Sequence, residues 1–212
     1  MYTPEHFSET SLDALHEIMR AYPLATLVSQ SSSGSNANHL PLHLTTKNHT
    51  FGILSGHIAR ANPLWQELSD GNEVLVIFHG PHAYVTPSWY PAKAKTGMVL
   101  PTWNYVVVHA RGKPQLIEDT EWLRAHLHIL TADHEARFDT PWQLEDAPSD
   151  FIEKMMRAVV GIEIEITQLA GKWKLSQNQS AENQIGVLEG LRKSSIKKDL
   201  EMASVIERKY RL

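Results

Sequence analysis

The sequence predicts a mainly β (α+β) fold: an antiparallel barrel core with peripheral helices and a C-terminal helical arm. Three observations carry this expectation. Seven or eight short runs of alternating or β-branched residues are linked mostly by turn residues. The helical stretches between them are too few to supply the crossovers that a parallel sheet requires. From Ser180 onward the pattern is helical to the end.

The elements follow in order. Leu12, Leu15, Met19 and Tyr22 recur at helical spacing, with Thr10 or Ser11 as N-cap. Pro23 stops that helix, because the residue before a proline is driven out of the α region. Leu24–Ser29 and Ala37–Leu44 read as strands joined across the polar cluster Gln30–Asn36, an antiparallel hairpin with a loose loop. Thr50–Ser55 is a third strand. Ile58–Leu68 reads as a helix that starts either near Gly56–Ala59 or at Asn62, with Pro63 in the first helical position. Glu73–His79 and Ala83–Thr86 are two strands turned at Gly80-Pro81. Pro87–Pro101 has three prolines, one glycine and no periodicity. It reads as a long loop, and long loops in compact domains are often functional. Asn104–Gly112 is a β-branched strand, Glu118–His134 a helix, and Ser149–Ala158 a helix capped by Ser149 or Asp150. Ile162, Glu163, Ile164, Glu165 and Ile166 alternate within a strand over Gly161–Thr167, and Lys172–Leu175 is a last strand. A break at Ser194-Ser195 divides the terminal helices. The expected organisation is a barrel domain over residues 1–180 and a helical extension over 181–212.

Composition sets bounds. Among 212 residues, 42% are hydrophobic and 21% charged, enough apolar content to exclude disorder as the main state. The absence of cysteine removes disulfides, thiolate nucleophiles, cysteine-based zinc sites and iron–sulfur clusters, and it fits a reducing cytoplasm. A net charge of −4 means that any contact with nucleic acid has to come from a local basic patch. No apolar run approaches the ~20 residues of a membrane span, and the N-terminus shows neither a basic nor an apolar signal region. The expectation is a cytoplasmic protein without membrane association.

Twelve histidines invite a metal reading. His39 and His43 share a strand face but stand ~13 Å apart by strand rise, and His126 and His128 face different ways on a helix. Neither spacing is a zinc signature, so no metal is expected. Gly-x-Ser-x-Gly does not occur. Phosphate is a better lead. Ser55-Gly56-His57-Ile58-Ala59-Arg60-Ala61-Asn62-Pro63 joins a strand to a helix, where free N–H groups and a positive dipole end favour an anion. Gly56 permits close backbone approach, and His57 and Arg60 add donors, Arg60 in bidentate fashion. The same segment reads equally as an ordinary turn with a solvated arginine. A second lead is the aromatic cluster Tyr84, Trp89, Tyr90, Trp103 and Tyr105, interleaved with Ser88, Thr102 and Asn104. It suits a planar ligand, a dimer interface, or a small core beneath a loop. Lys93 and Lys95 on the loop are solvated, or close over an anion as a lid. In Gly171–Asn178, Lys172 and Lys174 alternate with Trp173 and Leu175, so both lysines share one strand face, either an anion site or a plain polar surface.

Several stretches together resemble the PaiB family, the FMN-binding negative transcriptional regulators. They are MYTPEHF, HLPLHL, GHIARANPLW, VIFHGPHAYVTPSWYPAK, LPTWNYVVVHARG with Leu100 in place of the usual valine, DFIEKMMRAVVGIEIEIT and GKWKLSQNQS, covering roughly residues 1–192. The resemblance implies a split β-barrel of the FMN-binding type, similar to pyridoxamine-phosphate oxidases, and a homodimer with FMN at the subunit interface. It implies phosphate contacts from Ser55, Gly56, His57, Arg60 and Asn62. The strand Asn38, His39, Leu40 and Pro41 would lie along the flavin ring, its backbone matching the ring's pyrimidine edge. Trp89, Trp103 and Asn104 join the cofactor-binding set, with Lys172 and Lys174 adding charge around the phosphate or belonging to the partner subunit's edge. The implied role is negative transcriptional regulation. The alternative is a flavin-dependent oxidoreductase, a flavin reductase or oxidase, because the cofactor carries that chemistry without a protein nucleophile.

The tail after residue 192 lies beyond the resemblance. Ile196, Leu200, Ala203 and Ile206 form one apolar face, and Lys193, Lys197, Lys198, Arg208, Lys209 and Arg211 make the segment basic. It reads either as a helix docked on the body or as an arm that contacts DNA.

Overall fold

The computed structural model describes residues 1–31 and 34–210. Ser32 and Ser33 of the expected hairpin loop and Arg211 of the basic tail lie outside the described residues. Eight strands form one sheet: β1 Ser8–Glu9, β2 Leu24–Ser31, β3 Gly34–Pro41, β4 His43–Thr45, β5 Ile53–Ala59, β6 Val74–Val85, β7 Thr102–Ile117 and β8 Val159–Lys174. The helices are α1 Leu12–Ala21, α2 Leu64–Leu68, α3 Ala92–Thr96, α4 Thr120–Glu135, α5 Ser149–Arg157, α6 Ala181–Arg192 and α7 Lys197–Tyr210. The strand order is β3-β2-β6-β7-β8-β5-β4, with β1 paired to β8. The sheet does not close, and β3 and β4 end the path.

The chain divides into two compact units, and β6, β7 and β8 contribute one end to each. The first comprises Met1–Ala21, His79–Val108 and Ala170–Leu212; the second comprises Tyr22–Phe78 and His109–Leu169. In the second unit, β2 pairs antiparallel with β3 and β6, and β5 with β4 and β8. Leu27, Leu54, Ile58, Leu64, Phe78, Ile162 and Ile164 are fully buried there. Leu123, Ile152 and Met156 join α4 to α5 in an apolar cluster completed by Leu144. In the first unit, α1 buries Leu15, Ile18 and Met19, and α7 buries Met202, Ala203, Val205 and Ile206. The tail is therefore a docked helix. Residues 181–210 fall within the first unit, together with α1 and the ends of the long strands.

Several local expectations hold. Ser11 Oγ accepts from the Ala14 amide at the start of α1, and the stretch read as helical from Ser180 holds α6 and α7. The helical tail breaks at Ser194 and Ser195, between α6 and α7. Others are corrected. The residues at Gly80-Pro81 do not turn, and β6 is one strand. Its alternating burial slips by one residue there, so that Gly80 and Pro81 are both buried. A Cβ at Gly80 would stand 3.0 Å from Val106, so the glycine lets β7 lie close. Likewise β8 is one strand, because Gly171 continues it: a Cβ there would meet Leu15 at 2.2 Å. β5 begins at Ile53 and runs to Ala59, drawn out by pairing with β8 from Ile53↔Glu165 to Ala59↔Val159. The following helix shrinks to Leu64–Leu68 with Pro63 as N-cap, the later of the two expected starts. The strand expected over Ala37–Leu44 divides at Leu42, whose amide bonds to Pro23 O instead of the sheet. α5 is preceded by Pro148, with Ser149 its first helical residue. Pro87–Pro101 is not all loop: it holds a 3-10 turn at Pro87–Trp89 and α3, which ends at Gly97 in the left-handed conformation, φ 68°.

Trp89 is seated on α6. A Cβ at Gly190 would lie 2.3 Å from its ring, and one at Gly186 would lie 2.2 Å from its backbone oxygen. Backbone cannot move aside as a side-chain tip can. Gly186→Ala is therefore expected to lower stability by ~1–3 kcal/mol through overpacking, read as a lower midpoint in urea unfolding. An unchanged midpoint would show that the helix does not press on Trp89.

Candidate functional site

In the second unit the segment expected to hold phosphate is mostly strand. Ser55, Gly56 and His57 pair with Glu163, Ile162 and Gly161 of β8, so they offer no helix N-terminus. Ser55 is buried, and a Cβ at Gly56 would strike Leu42 at 2.6 Å, so Gly56 serves close packing of the core. The side chain of His57 turns toward α4. Its Nδ1 stands 3.3 Å from Nε2 of His126, one of the two donating, and the rings meet edge-on. Trp122 stacks on the far side of His126 at 5.1 Å and donates through Nε1 to Glu163. Next to this pair, His43 bonds to Asp133 at 2.8 Å. Burial holds the His57 imidazole below its ordinary value. Burial first, then the nearness of His57 and His43, lowers that of His126 to about 4. Both rings are held neutral by their surroundings near pH 7.

Arg60 begins the turn after β5. Its amide donates to Ala158 O at 2.8 Å, and its own carbonyl accepts from Trp65 Nε1 at 2.8 Å. The guanidinium touches Arg157 O at 3.3 Å, Glu118 at 3.3 Å and Val159 O at 3.4 Å. These contacts are long for charge-assisted bonds, which run about 2.7–2.9 Å, and a guanidinium has N–H donors beyond the three in use. Arg60 lines a cavity of ≈ 510 Å³ with Arg124, Arg157, Glu118, Glu153 and Thr120. The sequence reading missed Arg124 and Arg157. They lie on α4 and α5, far from Arg60 in the chain, and only the packing of both helices against the β5 turn unites them.

The turn also joins two predicted segments. Asn62 Nδ2 donates to Asn38 Oδ1 of β3 at 2.9 Å, while Asn62 Oδ1 accepts from the Leu64 amide. β3 ends the sheet path, and among the described residues its strand partner is β2. Along it Leu40 is buried and His39 exposed, with Asn38 and Pro41 between these extremes. Glu67 of α2 accepts from both Ser29 and Asn36, clamping the hairpin.

The remaining predicted residues lie in the first unit. Asn104 is fully buried and exchanges hydrogen bonds with Ser176, at 3.1 and 3.2 Å. Trp103 is 53% exposed and stands edge-on to Tyr84 at 5.8 Å, with His82 on its other flank. Lys172 donates to Tyr2 O and lies 5.4 Å from the Tyr105 ring centre. Lys174 donates to Thr102 Oγ1 and to Trp103 O. Burial first, with Lys172 nearby, lowers the Lys174 ammonium pKa against the opposing pull of Tyr105. Lys95 pairs with Glu182 and Lys93 donates to Ser88, so both loop lysines have partners in their own chain. Among the described residues no group of three His, Asp or Glu is placed to hold a metal ion.

Over residues 1–168 the chain matches the family model described as "Putative FMN-binding domain". It is 31% identical over 211 residues to the protease synthase and sporulation protein PAI 2 of Bacillus subtilis, covering 100% of this chain and 99% of that one. An uncharacterized protein of Emericella nidulans is 32% identical over 225 residues, with 90% of each chain covered. Among solved structures, the FAD and heme binding protein from Mycobacterium smegmatis superposes with a TM-score of 0.61 at 16% identity, covering 84% of this chain and 78% of that one. The flavocytochrome Anf3 from Azotobacter vinelandii superposes with a TM-score of 0.56 at 13% identity, covering 79% and 69%. These likenesses show the split-barrel fold, in agreement with the open antiparallel sheet.

The buried histidine pair sets a pH dependence. His126 binds a proton near pH 6.5 when unfolded but only near pH 4 when folded, so acid favours the unfolded chain. Its contribution is complete above pH 6.5 and is lost as the pH falls toward 4, by roughly 3 kcal/mol in total. His126→Gln is expected to flatten the decline of unfolding free energy across that window. Parallel profiles for variant and wild type would remove His126 as the cause.

Proposed function

Because the chain belongs to the PaiB-type family of FMN-binding domains, we propose that it is a cytoplasmic homodimer that holds FMN at the subunit interface and acts as a negative transcriptional regulator. Flavin binding is the family's property. FMN as the particular flavin, the dimer and the contact with DNA are the proposal. The observation that carries it is the convergence of Arg60, Arg124 and Arg157 on one cavity beside the Asn38–Asn62 junction.

The residues fit the group. A phosphate monoester is a dianion with several acceptor oxygens, and it calls for more than one cation and for N–H donors in fork geometry. Arg60 retains donors beyond its long contacts, and Arg124 forms no ion pair among the described residues. The flat tricycle calls for apolar surface and for backbone groups along its pyrimidine edge. Asn38, His39, Leu40 and Pro41 lie on a strand whose outer edge has no strand partner among the described residues, and an edge strand presents unpaired N–H and C=O groups. Trp103 supplies an exposed ring face to a planar ligand or to the second subunit. Ser55, Gly56 and His57 support this site from the strand behind Arg60. Trp89 and Lys172 stay in the proposed set through the family resemblance alone, while Asn104 and Lys174 line a cavity of the first unit that Arg60 does not. Bound FMN supplies electron or hydride transfer at its ring system.

A specific observation favours a second reading, a flavin-dependent oxidoreductase. Four cations near the C-terminus are matched by carboxylates of their own chain: Lys193 by Glu189, Lys197 by Glu201, Arg192 by Glu207, and Lys209 by Glu9. Paired lysines have less to offer a phosphate backbone, whose binding depends on counterion release. A salt-sensitive shift of promoter DNA supports the regulator. Bleaching of the flavin bands by a nicotinamide donor at enzyme-like rates, without such a shift, supports the oxidoreductase.

Arg60→Ala is expected to weaken FMN retention by on the order of ten- to a hundredfold, the loss of a charge-assisted contact of ~1.5–3 kcal/mol. Flavin absorbance per chain after dialysis measures it. Equal occupancy in variant and wild type removes Arg60 from the site.

A further inference from the structure

We propose that the first unit carries a second ligand site, a cavity above Lys174 that takes a small monocarboxylate with an apolar body. The cavity measures ≈ 390 Å³. Thr102 and Asn104 of β7, Lys174 at the end of β8, and Ser176 just beyond it supply its polar lining. Phe7 and Tyr90 supply buried apolar wall. Met98 and Leu100 form part of the lining from a stretch outside any helix or strand, and they are 84% and 81% exposed.

The charge defines the ligand. Among the described residues that line the cavity, Lys174 alone carries a charge at neutral pH. It has no carboxylate within ion-pair distance among the described residues. Its two partners, Thr102 Oγ1 and Trp103 O, are neutral, and an ammonium has three donors. A half-buried cation with no counter-ion is costly, and the cost shows in the lowered pKa of its ammonium. One bound negative charge would balance it. A neutral ligand would leave it unbalanced, and a dianion would reverse the excess. The balance therefore selects a monoanion, and a carboxylate is the common organic one.

The rest of the lining points the same way. The Asn104–Ser176 pair is fixed by reciprocal hydrogen bonds and buried on both sides. Ser176 holds a left-handed backbone, φ 67°, a strained state for a residue other than glycine; such strain clusters at ligand sites. Large apolar side chains exposed at a cavity mouth match a ligand with an apolar body. The inference goes beyond the flavin reading and does not depend on it, since Arg60, Arg124 and Arg157 line a different cavity.

The test titrates the full chain with benzoate and with benzamide, its neutral isostere, by calorimetry. Benzoate is expected to bind once per chain, with benzamide about tenfold weaker or more, the difference made by one charge-assisted contact. Lys174→Met is expected to bring benzoate down to the level of benzamide. Leu100→Glu changes an exposed residue, so the protein should fold as before, and the new carboxylate is expected to weaken benzoate severalfold by repulsion. If Lys174→Met does not fold, the benzoate-to-benzamide ratio and Leu100→Glu decide. Absence of benzoate binding, equal affinity for the two probes, or indifference to the variants overturns the proposal. So does one-for-one displacement of benzoate by FMN, which would assign the cavity to the flavin.

Discussion

The register of β5 against β8 is the constraint on which the second unit depends. Side chains alternate along a strand with a period of two, so a slip of one residue would carry Leu54 and Ile58 from the buried face to the other one. The observed register sets Gly161 opposite His57. A Cβ at Gly161 would stand 2.4 Å from the Trp122 ring, so only glycine lets α4 lie this close to the strand. Trp122 can then stack on His126, and His126 can reach His57. The same register ends the ladder at Ala59↔Val159, which leaves the Arg60 amide to bond Ala158 and brings its guanidinium beside Arg157 and Val159. Arg60 is thus positioned by strand pairing and not by the start of a helix.

Much of this was legible in the sequence where the signal is local. The first helix, its proline stop, the helical stretch from Ser180 and the break near Ser194 depend on neighbouring residues, and local chemistry decides them. The strand assignments were right in kind and wrong in length. Gly80-Pro81 reads as a turn because glycine and proline usually interrupt a strand, and the alternation that marks the strand over Gly161–Thr167 stops before Gly171. In both places the strand continues, and the glycines serve close approach: Val106 at Gly80, Leu15 and Trp173 at Gly171. That reason belongs to partners far along the chain. The phosphate segment shows the same limit. Its residues were picked out, but their geometry was assigned to a helix start, when pairing with β8 had already drawn Ser55, Gly56 and His57 into the sheet. Arg124 and Arg157 carry no local mark, and His126 stands out only as a candidate metal ligand.

Ion pairing matters more to function here than the tally of charges. The basic tail reads from sequence either as a docked helix or as an arm that contacts DNA. Folded, α7 buries its apolar face, and Lys209 reaches back to Glu9 at 2.6 Å. Glu9 responds: although burial raises its carboxyl pKa, Lys209 and two backbone amides outweigh that and hold it below the ordinary value. Such pairs contribute little to stability when exposed. They do withdraw cations from the free surface. A DNA-binding role would therefore depend on residues outside these pairs, or on the joined surface of two subunits.

The cations that keep capacity for a ligand are of two kinds, and their chemistry differs. Arginine presents a planar fork of donors that matches phosphate oxygens two at a time and resists deprotonation when buried. Three such groups on one cavity, beside Glu118 and Glu153, offer fork donors to several phosphate oxygens at once. Lysine is a compact point charge whose protonation responds to burial. With no carboxylate among the described residues that line its cavity, Lys174 makes that cavity sensitive to whatever anion enters: a bound carboxylate would stabilise the ammonium, and its departure would return the group to its lowered pKa. Because Lys174 also bonds to Thr102 and to the carbonyl of Trp103, any change in its charge alters the bonds that hold the start of β7. The half-exposed ring of Trp103 stands on that same strand end. An anion at Lys174 would therefore act on an aromatic surface suited to a planar ligand or a second subunit, through two hydrogen bonds and no large motion.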